Sequence, residues 1–264
     1  MIRALLLLLL CLAPPAAAQS ALTALQTMDD ARGWEAVGRL DMDGEGFCTS
    51  ALIGERLVLT AAHCLFDAAG APISPERLTF RAGFRGGRAL AERPVRRALV
   101  HPAYEGPAAE SNLRSANDLA LLELAQPIRS TQITPFATAP AGAAGGEVGI
   151  VSYAMGREEA PSLQEVCGLM GAARGVLVMA CDVDFGSSGA PVFRAGAAGP
   201  ELVSIVSAKA ELEGERIALG ADLAAALPEL LARMEAGEGA LAAGGAGRVI
   251  VGERHDTGAK FIRP

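Results

Sequence analysis

Short β-prone segments, each closed by a glycine-rich or charged turn, fill most of this chain and limit what it can fold into. They run over Glu35–Leu40, Phe47–Ile53, Arg56–Thr60, Arg77–Ala82, Val95–Val100 and Leu119–Leu124, then over Glu147–Tyr153, Val176–Cys181, Leu202–Ser207 and Arg216–Leu219. Strands this short, with turns at regular intervals, predict an all-β sandwich or barrel rather than a layered α/β fold. A Pro/Ala/Gly-rich stretch from Pro127 to Gly146 divides the strands into two sets and reads as a linker between two barrels. One helix is expected: Asp222 caps the run Leu223–Met234, whose Leu223, Leu227, Leu230 and Leu231 fall on one face. No repeat of fixed period is visible.

The first residues speak to compartment. Met1-Ile2-Arg3 supplies a positive start, Ala4–Ala13 an apolar run, Pro14-Pro15 a helix break, and Ala16-Ala17-Ala18 a small-residue cleavage site. That order predicts a secretory signal peptide over 1–18, too short for a stable membrane span. The expected product is secreted or periplasmic, with no membrane attachment after cleavage. Cys11 leaves with the signal, so Cys48, Cys64, Cys167 and Cys181 remain. An even number of cysteines in an exported chain predicts two disulfides, and three pairings are open. The sequence-local one closes two short loops, each worth roughly 3 kcal/mol in the chain-entropy model. Zinc would want closer pairs of cysteine or histidine, so no metal is expected.

Composition excludes more than it names. The net charge is −7 and only Lys209 and Lys260 are lysines, so a nucleic-acid backbone is not the expected partner. Aromatic residues make up 4% of the chain, too few for a sugar- or base-stacking platform. Asp41-Met42-Asp43-Gly44-Glu45-Gly46 invites a calcium loop, but Leu52 stands where an EF-hand needs its last carboxylate, so a polar hairpin turn is the expectation.

Three segments carry the chemistry. In Leu59-Thr60-Ala61-Ala62-His63-Cys64, a histidine ends an apolar strand among small residues, a setting that fixes a general base without burying it. Asn117-Asp118-Leu119-Ala120-Leu121-Leu122 opens another strand with an aspartate, which in isolation is an ordinary cap or turn residue. In Gly186-Ser187-Ser188-Gly189-Ala190-Pro191, glycines let the backbone turn sharply around Ser188 and aim amide hydrogens at a developing oxyanion. An α/β-hydrolase elbow would need glycine at position 190, where Ala190 stands. Together His63, Asp118 and Ser188 supply base, orienter and nucleophile in the order His, Asp, Ser.

With these motifs in this order, the chain from about Trp34 to Leu223 resembles the trypsin/chymotrypsin-like serine peptidase family, in a bacterial exported form. The resemblance implies two six-stranded antiparallel Greek-key barrels, chymotrypsin-like, with a C-terminal helix. The expected organisation is an N-terminal extension over 19–33, a peptidase domain over 34–235 with barrels about 34–127 and 147–222 and a helix over 222–235, and a Gly/Ala-rich, polar tail over 236–264. The family pairs the cysteine after the histidine with one on the preceding strand, here Cys64 with Cys48, and Cys167 is then expected with Cys181. It also implies a secreted serine endopeptidase acting through an acyl-enzyme on protein or peptide substrates, as a monomer without a cofactor. The oxyanion would be held by the N–H groups of Gly186 and Ser188. Ser207 matches a serine that lies beside the catalytic aspartate and begins the edge on which substrate backbone pairs. Asp182, six residues before Ser188, matches the position whose aspartate selects Arg and Lys in trypsin-like members. Lys209 stands where such pockets need glycine and is expected to narrow the pocket entrance or to pair with Asp182.

Two departures matter. Ser187 replaces the acidic residue that precedes the nucleophile in trypsin-type zymogens, and no Ile-Val-Gly-Gly precedes Trp34, so that activation switch is absent or different. Leu202–Lys209 holds no histidine, which speaks against the specificity of glutamyl endopeptidase-like members. The alternative reading is a catalytically silent homologue that serves as a binding or regulatory module.

Overall fold

The computed structural model describes residues 20–108, 114–212 and 214–239, so the signal segment and most of the tail lie outside the described residues. The first barrel is built from β2 (Val37–Met42), β3 (Phe47–Leu52), β4 (Leu57–Thr60), β5 (Leu78–Ala82), β6 (Ala91–Val100) and β7 (Ala120–Leu124). The order β2-β3-β4-β7-β6-β5 closes on itself. The second sheet holds β1 (Thr23–Ala24), β8 (Glu147–Ala154), β9 (Arg157–Ala173), β10 (Val176–Met179), β11 (Pro191–Gly196), β12 (Gly199–Leu212) and β13 (Glu215–Asp222). Its order is β1-β9-β10-β13-β12-β11-β8, and β8 also pairs with β9, so six strands form a ring with β1 outside on β9. Each ring joins two three-strand meanders edge to edge, β4 to β7 and β2 to β5 in one, β10 to β13 and β8 to β11 in the other. The same topology is thus used twice without a repeated sequence. Closure removes the unpaired edges that an open sheet of this size would expose.

The expected strands exist, and their bounds differ where charge hides the pattern. β6 begins at Ala91 rather than Val95, and β12 runs on to Leu212 rather than stopping at Ser207. Both extensions carry charged residues whose partners lie elsewhere in the chain, Glu92 with Arg81 and Lys209 with Asp184, so no apolar alternation announces them. β1, β9 and β11 were not expected at all. β9 contains Pro161, Gly168 and Gly171, and irregularities in its pairing with β8 break the period-two alternation. Of Asp41–Gly46, Asp41 and Met42 end β2, and the remaining four residues make the β2–β3 hairpin turn, with Asp43 and Gly44 at positive φ.

Two apolar clusters fill the rings. One contains Val148, Ile150, Leu169, Leu177, Met179, Val192 and Val206 inside the second. The larger fills the first and reaches between them through Val151, Tyr153, Phe193 and Ile205. α2 (Leu223–Glu235) lays Leu223, Leu227 and Leu230 on this larger cluster, each contributing about 1.5–3 kcal/mol. Asp222 caps α2 as expected, accepting from Ala224 N at 3.1 Å. Among the described residues no helix is long and apolar enough to cross a membrane.

α2 also faces His101, buried just beyond β6. Its Nδ1 accepts from Ala103 N at 3.3 Å and its Nε2 lies 4.0 Å from Glu229 Oε2. Burial lowers its pKa below the ordinary 6.5, Glu229 acts in the opposite sense, and Arg233 lowers it again. The unfolded imidazole therefore takes up a proton before the folded one does. Stability is complete above the unfolded pKa and declines as the pH falls through it. His101→Gln should reduce the drop in Tm between about pH 7 and about pH 5, measured by calorimetry; an unchanged drop would exclude His101 as its source.

Candidate active site

His63 sits on the short 3-10 turn Ala62–Leu65 at the end of β4, and buried Ala62, Cys64 and Leu65 hold the turn against the first barrel. Cys64 lies at disulfide distance from Cys48 on β3, with Cα atoms 6.2 Å apart, which ties the turn to the neighbouring strand. Cys167 and Cys181 form the second such pair, with Cα atoms 5.1 Å apart. The cluster of Cys48, His63 and Cys64 has metal-ligand chemistry on paper, but sulfurs paired with each other are not thiolate ligands.

Asp118 lies between α1 (Arg114–Asn117) and β7 and is fully buried. A buried carboxylate must be hydrogen-bonded, and this one is. Its Oδ1 accepts from His63 N at 2.9 Å, and its Oδ2 stands 2.7 Å from His63 Nδ1. Ser207 Oγ, on β12 of the other barrel, donates to Oδ2 at 2.5 Å and lies 3.1 Å from Ser115 Oγ. The carboxylate therefore grips the histidine by both ring and main chain, fixing the tautomer that leaves Nε2 free to accept a proton. Nearby, burial and the charge of Asp118 push the Tyr104 hydroxyl up to about 12.

Ser188 arrives from the second barrel. Thr49 on β3 holds its loop, with Thr49 N donating to Ser188 O at 2.9 Å and Thr49 Oγ1 to Gly186 O at 2.9 Å. Beyond it, Gly189 N donates to Val206 O at 2.8 Å. Ser187, almost fully buried, accepts from Asp184 N at 3.2 Å through its hydroxyl, where an acidic residue would have needed a cationic partner. Gly186 adopts φ +92, and a Cβ there would come within 2.7 Å of the Phe47 ring, so the tight turn needs glycine. Among the described residues the N–H groups of Gly186 and Ser188 donate to no protein acceptor, while Ser187 N donates to Asp184 O at 2.9 Å. Two amides without an acceptor among the described residues thus flank a paired one beside the half-buried Ser188. Ser188 Oγ makes no hydrogen bond within the described residues; bonds of this kind often tighten only around substrate.

The remaining sequence-predicted residues lie elsewhere. Lys209 Nζ pairs with Asp184 Oδ1 at 3.1 Å and lies 4.0 Å over the Phe185 ring, not with Asp182. Asp182 faces Arg216 at 3.3 Å and lines a cavity of about 310 Å³ with Ser20, Leu22 and Glu215, one that includes neither His63 nor Ser188. Sequence reasoning missed Thr49 and Ser115, whose only signal was a polar residue next to an anticipated cysteine or aspartate motif.

A profile of the trypsin-like peptidase domain matches residues 44–198, which include His63, Asp118 and Ser188. The human protein named serine protease 56 is 35% identical over 99 residues, a match covering 36% of this chain and 14% of that relative's length.

Proposed function

Because the chain belongs to the trypsin-like peptidase domain family, we propose that it is a secreted serine endopeptidase working through His63, Asp118 and Ser188. Ser188 Oγ attacks the peptide carbonyl while His63 Nε2 takes its proton, and the bond to the amine breaks as His63 returns that proton. Water, activated by the same imidazole, then releases the acyl group. The N–H groups of Gly186 and Ser188 stabilise the negative oxygen, and substrate backbone pairs along β12 beyond Ser207. The observation that carries this reading is the Asp118 carboxylate, buried without a Lys or Arg partner among the described residues and spent on the main-chain N–H and ring Nδ1 of His63 and on Ser207. That is an expensive arrangement for a binding module to keep, and a purposeful one for an enzyme that needs an oriented base.

Diisopropyl fluorophosphate tests it. The expected result is stoichiometric labelling of the Ser188 peptide with parallel loss of peptide hydrolysis. A folded protein that neither labels nor hydrolyses is the silent homologue instead.

Specificity follows the carboxylates. Asp182 has Arg216 as its partner and lines a cavity that does not include Ser188, which favours a neutral side chain over Arg or Lys at the cleaved bond. Profiled on a peptide library, Asp182→Ser should leave the preference unchanged, whereas Lys209→Gly should broaden it by freeing Phe185, which is 63% exposed. A profile that loses basic residues only in Asp182→Ser would reverse this assignment.

A further inference from the structure

The N-terminal segment is built into the second barrel at a point that reaches the nucleophile loop. Ser20 N donates to Val166 O at 2.9 Å, and Val166 N donates back to Ser20 Oγ at 2.8 Å. Thr23 and Ala24 pair with Leu163 and Ser162 of β9, and Leu25, buried, donates from its N to Pro161 O at 2.8 Å. Between these contacts stands Gln164, 2% exposed. Its Nε2 donates to Ser20 O at 3.0 Å, and its Oε1 accepts from Asp182 N at 2.7 Å. Only one orientation of the amide satisfies both partners, since one is a carbonyl and the other an N–H. Gln164 is thus a two-ended strut from the N-terminal segment to the residue six positions before Ser188.

We propose, resting on the peptidase reading above, that residues 20–25 act as an intramolecular activator and that Gln164 is the positioning residue through which they act. The span from Cys181 to Ser188 is held at its start by the Cys167 pairing and by Gln164 on Asp182 N, and at its end by Thr49 N on Ser188 O. The hairpin of bonds between Asp184 and Ser187 lies in between. If Ser20 O is withdrawn, the buried amide of Gln164 loses its acceptor and must turn to another, releasing Asp182 N. The start of the loop then slackens, and the orientation of the Gly186 and Ser188 amides goes with it. In this reading Asp182 serves catalysis through its main chain rather than through its carboxylate.

The full chain is compared with Gln164→Met, which keeps volume and removes both bonds, and with Ser20→Pro, which keeps the Ser20 carbonyl but removes the N–H and hydroxyl that hold it beside Gln164. Both variants should keep two disulfides and a cooperative thermal transition. kcat and the rate of Ser188 labelling by diisopropyl fluorophosphate should fall about ten- to a hundredfold, with KM changed far less. Because Ser20→Pro displaces the carbonyl to which Gln164 donates, both changes act on one strut, and the double variant should be little worse than either single. Amide exchange at Ser187 and Gly189 should quicken in all three. Wild-type kcat in folded Gln164→Met, or losses that multiply in the double variant, would overturn the proposal. Should Gln164→Met fail to fold, Ser20→Pro carries the same comparison. If the wild type itself does not label, the peptidase reading falls alone, and unchanged exchange at Ser187 then decides against the strut.

Discussion

Ser188→Ala and His63→Ala should each lower kcat by about a millionfold, and the double variant should lose hardly more than either single. The reason is that neither group works alone: a hydroxyl without a base is a poor nucleophile, and a base without a hydroxyl has no proton to take. Asp118→Asn should cost about ten-thousandfold. An amide at that position either presents its NH₂ to His63 Nδ1, which forces the wrong tautomer, or presents it to His63 N–H and loses the 2.9 Å bond. Ser188→Ala should fold as well as the wild type, because the hydroxyl is half-buried and without a partner among the described residues. Asp118→Asn should also lower Tm, since Ser207 Oγ and His63 N both spend hydrogen bonds on that carboxylate. The measurements are steady-state kinetics and calorimetry. Losses that multiply between His63→Ala and Ser188→Ala, or turnover retained in Ser188→Ala, would defeat the assignment of roles.

Which features were legible in the sequence follows from how each is held in place. The His63, Asp118 and Ser188 segments stand out because chemistry restricts their neighbours: small residues beside the imidazole, an apolar strand after the aspartate, glycines around the serine. β4 and β7 are legible for a simpler reason, as their residues are buried on nearly every side and are apolar except Thr60 and the arginine-paired Glu123. β9 was invisible because it is long, irregular and partly exposed, and its pairing depends on partners distant in sequence. Such pairing is a tertiary fact, and local propensity is a weak guide to it. The cavity beside Asp182 illustrates the same limit at the site. Counting back from Ser188 locates the residue along the chain, but its carboxylate meets Arg216 on a hairpin thirty-odd residues later, and its main-chain N–H is held by Gln164 on β9. Thr49 belongs with these: a threonine in a strand is ordinary until the fold carries residues 186–188 onto it.

Gly189→Ala should impair the fold and the site together, by a wholly different route from a triad substitution. A Cβ at this residue would lie 2.3 Å from Thr49 O, 2.3 Å from Thr60 Oγ1 and 3.1 Å from Ala61 N, and its φ is +75. These are atoms of β3, β4 and the turn that carries His63, all fixed by a closed ring and by the Cys48–Cys64 pairing. They have little room to yield, so the loop itself must retreat. Retreat breaks the bonds from Thr49 N to Ser188 O and from Gly189 N to Val206 O, which seat the loop on either side of the serine hydroxyl. The methyl group thus pushes the Ser188 loop away from the turn that carries His63, the place where the proposed base and nucleophile would meet. Overpacking against backbone together with the left-handed φ should destabilise by roughly 3 kcal/mol or more. Displacement of Ser188 by about 1 Å should cost about a hundredfold in kcat/KM on its own. Gly142→Ala separates the two contributions, since Gly142 has a φ of +92 and nothing within 4 Å of the added carbon. That control should lose about 1 kcal/mol from backbone strain and keep full activity. Equal Tm and equal kcat/KM in the two variants would mean that the contact between Gly189 and the first barrel does not seat the nucleophile.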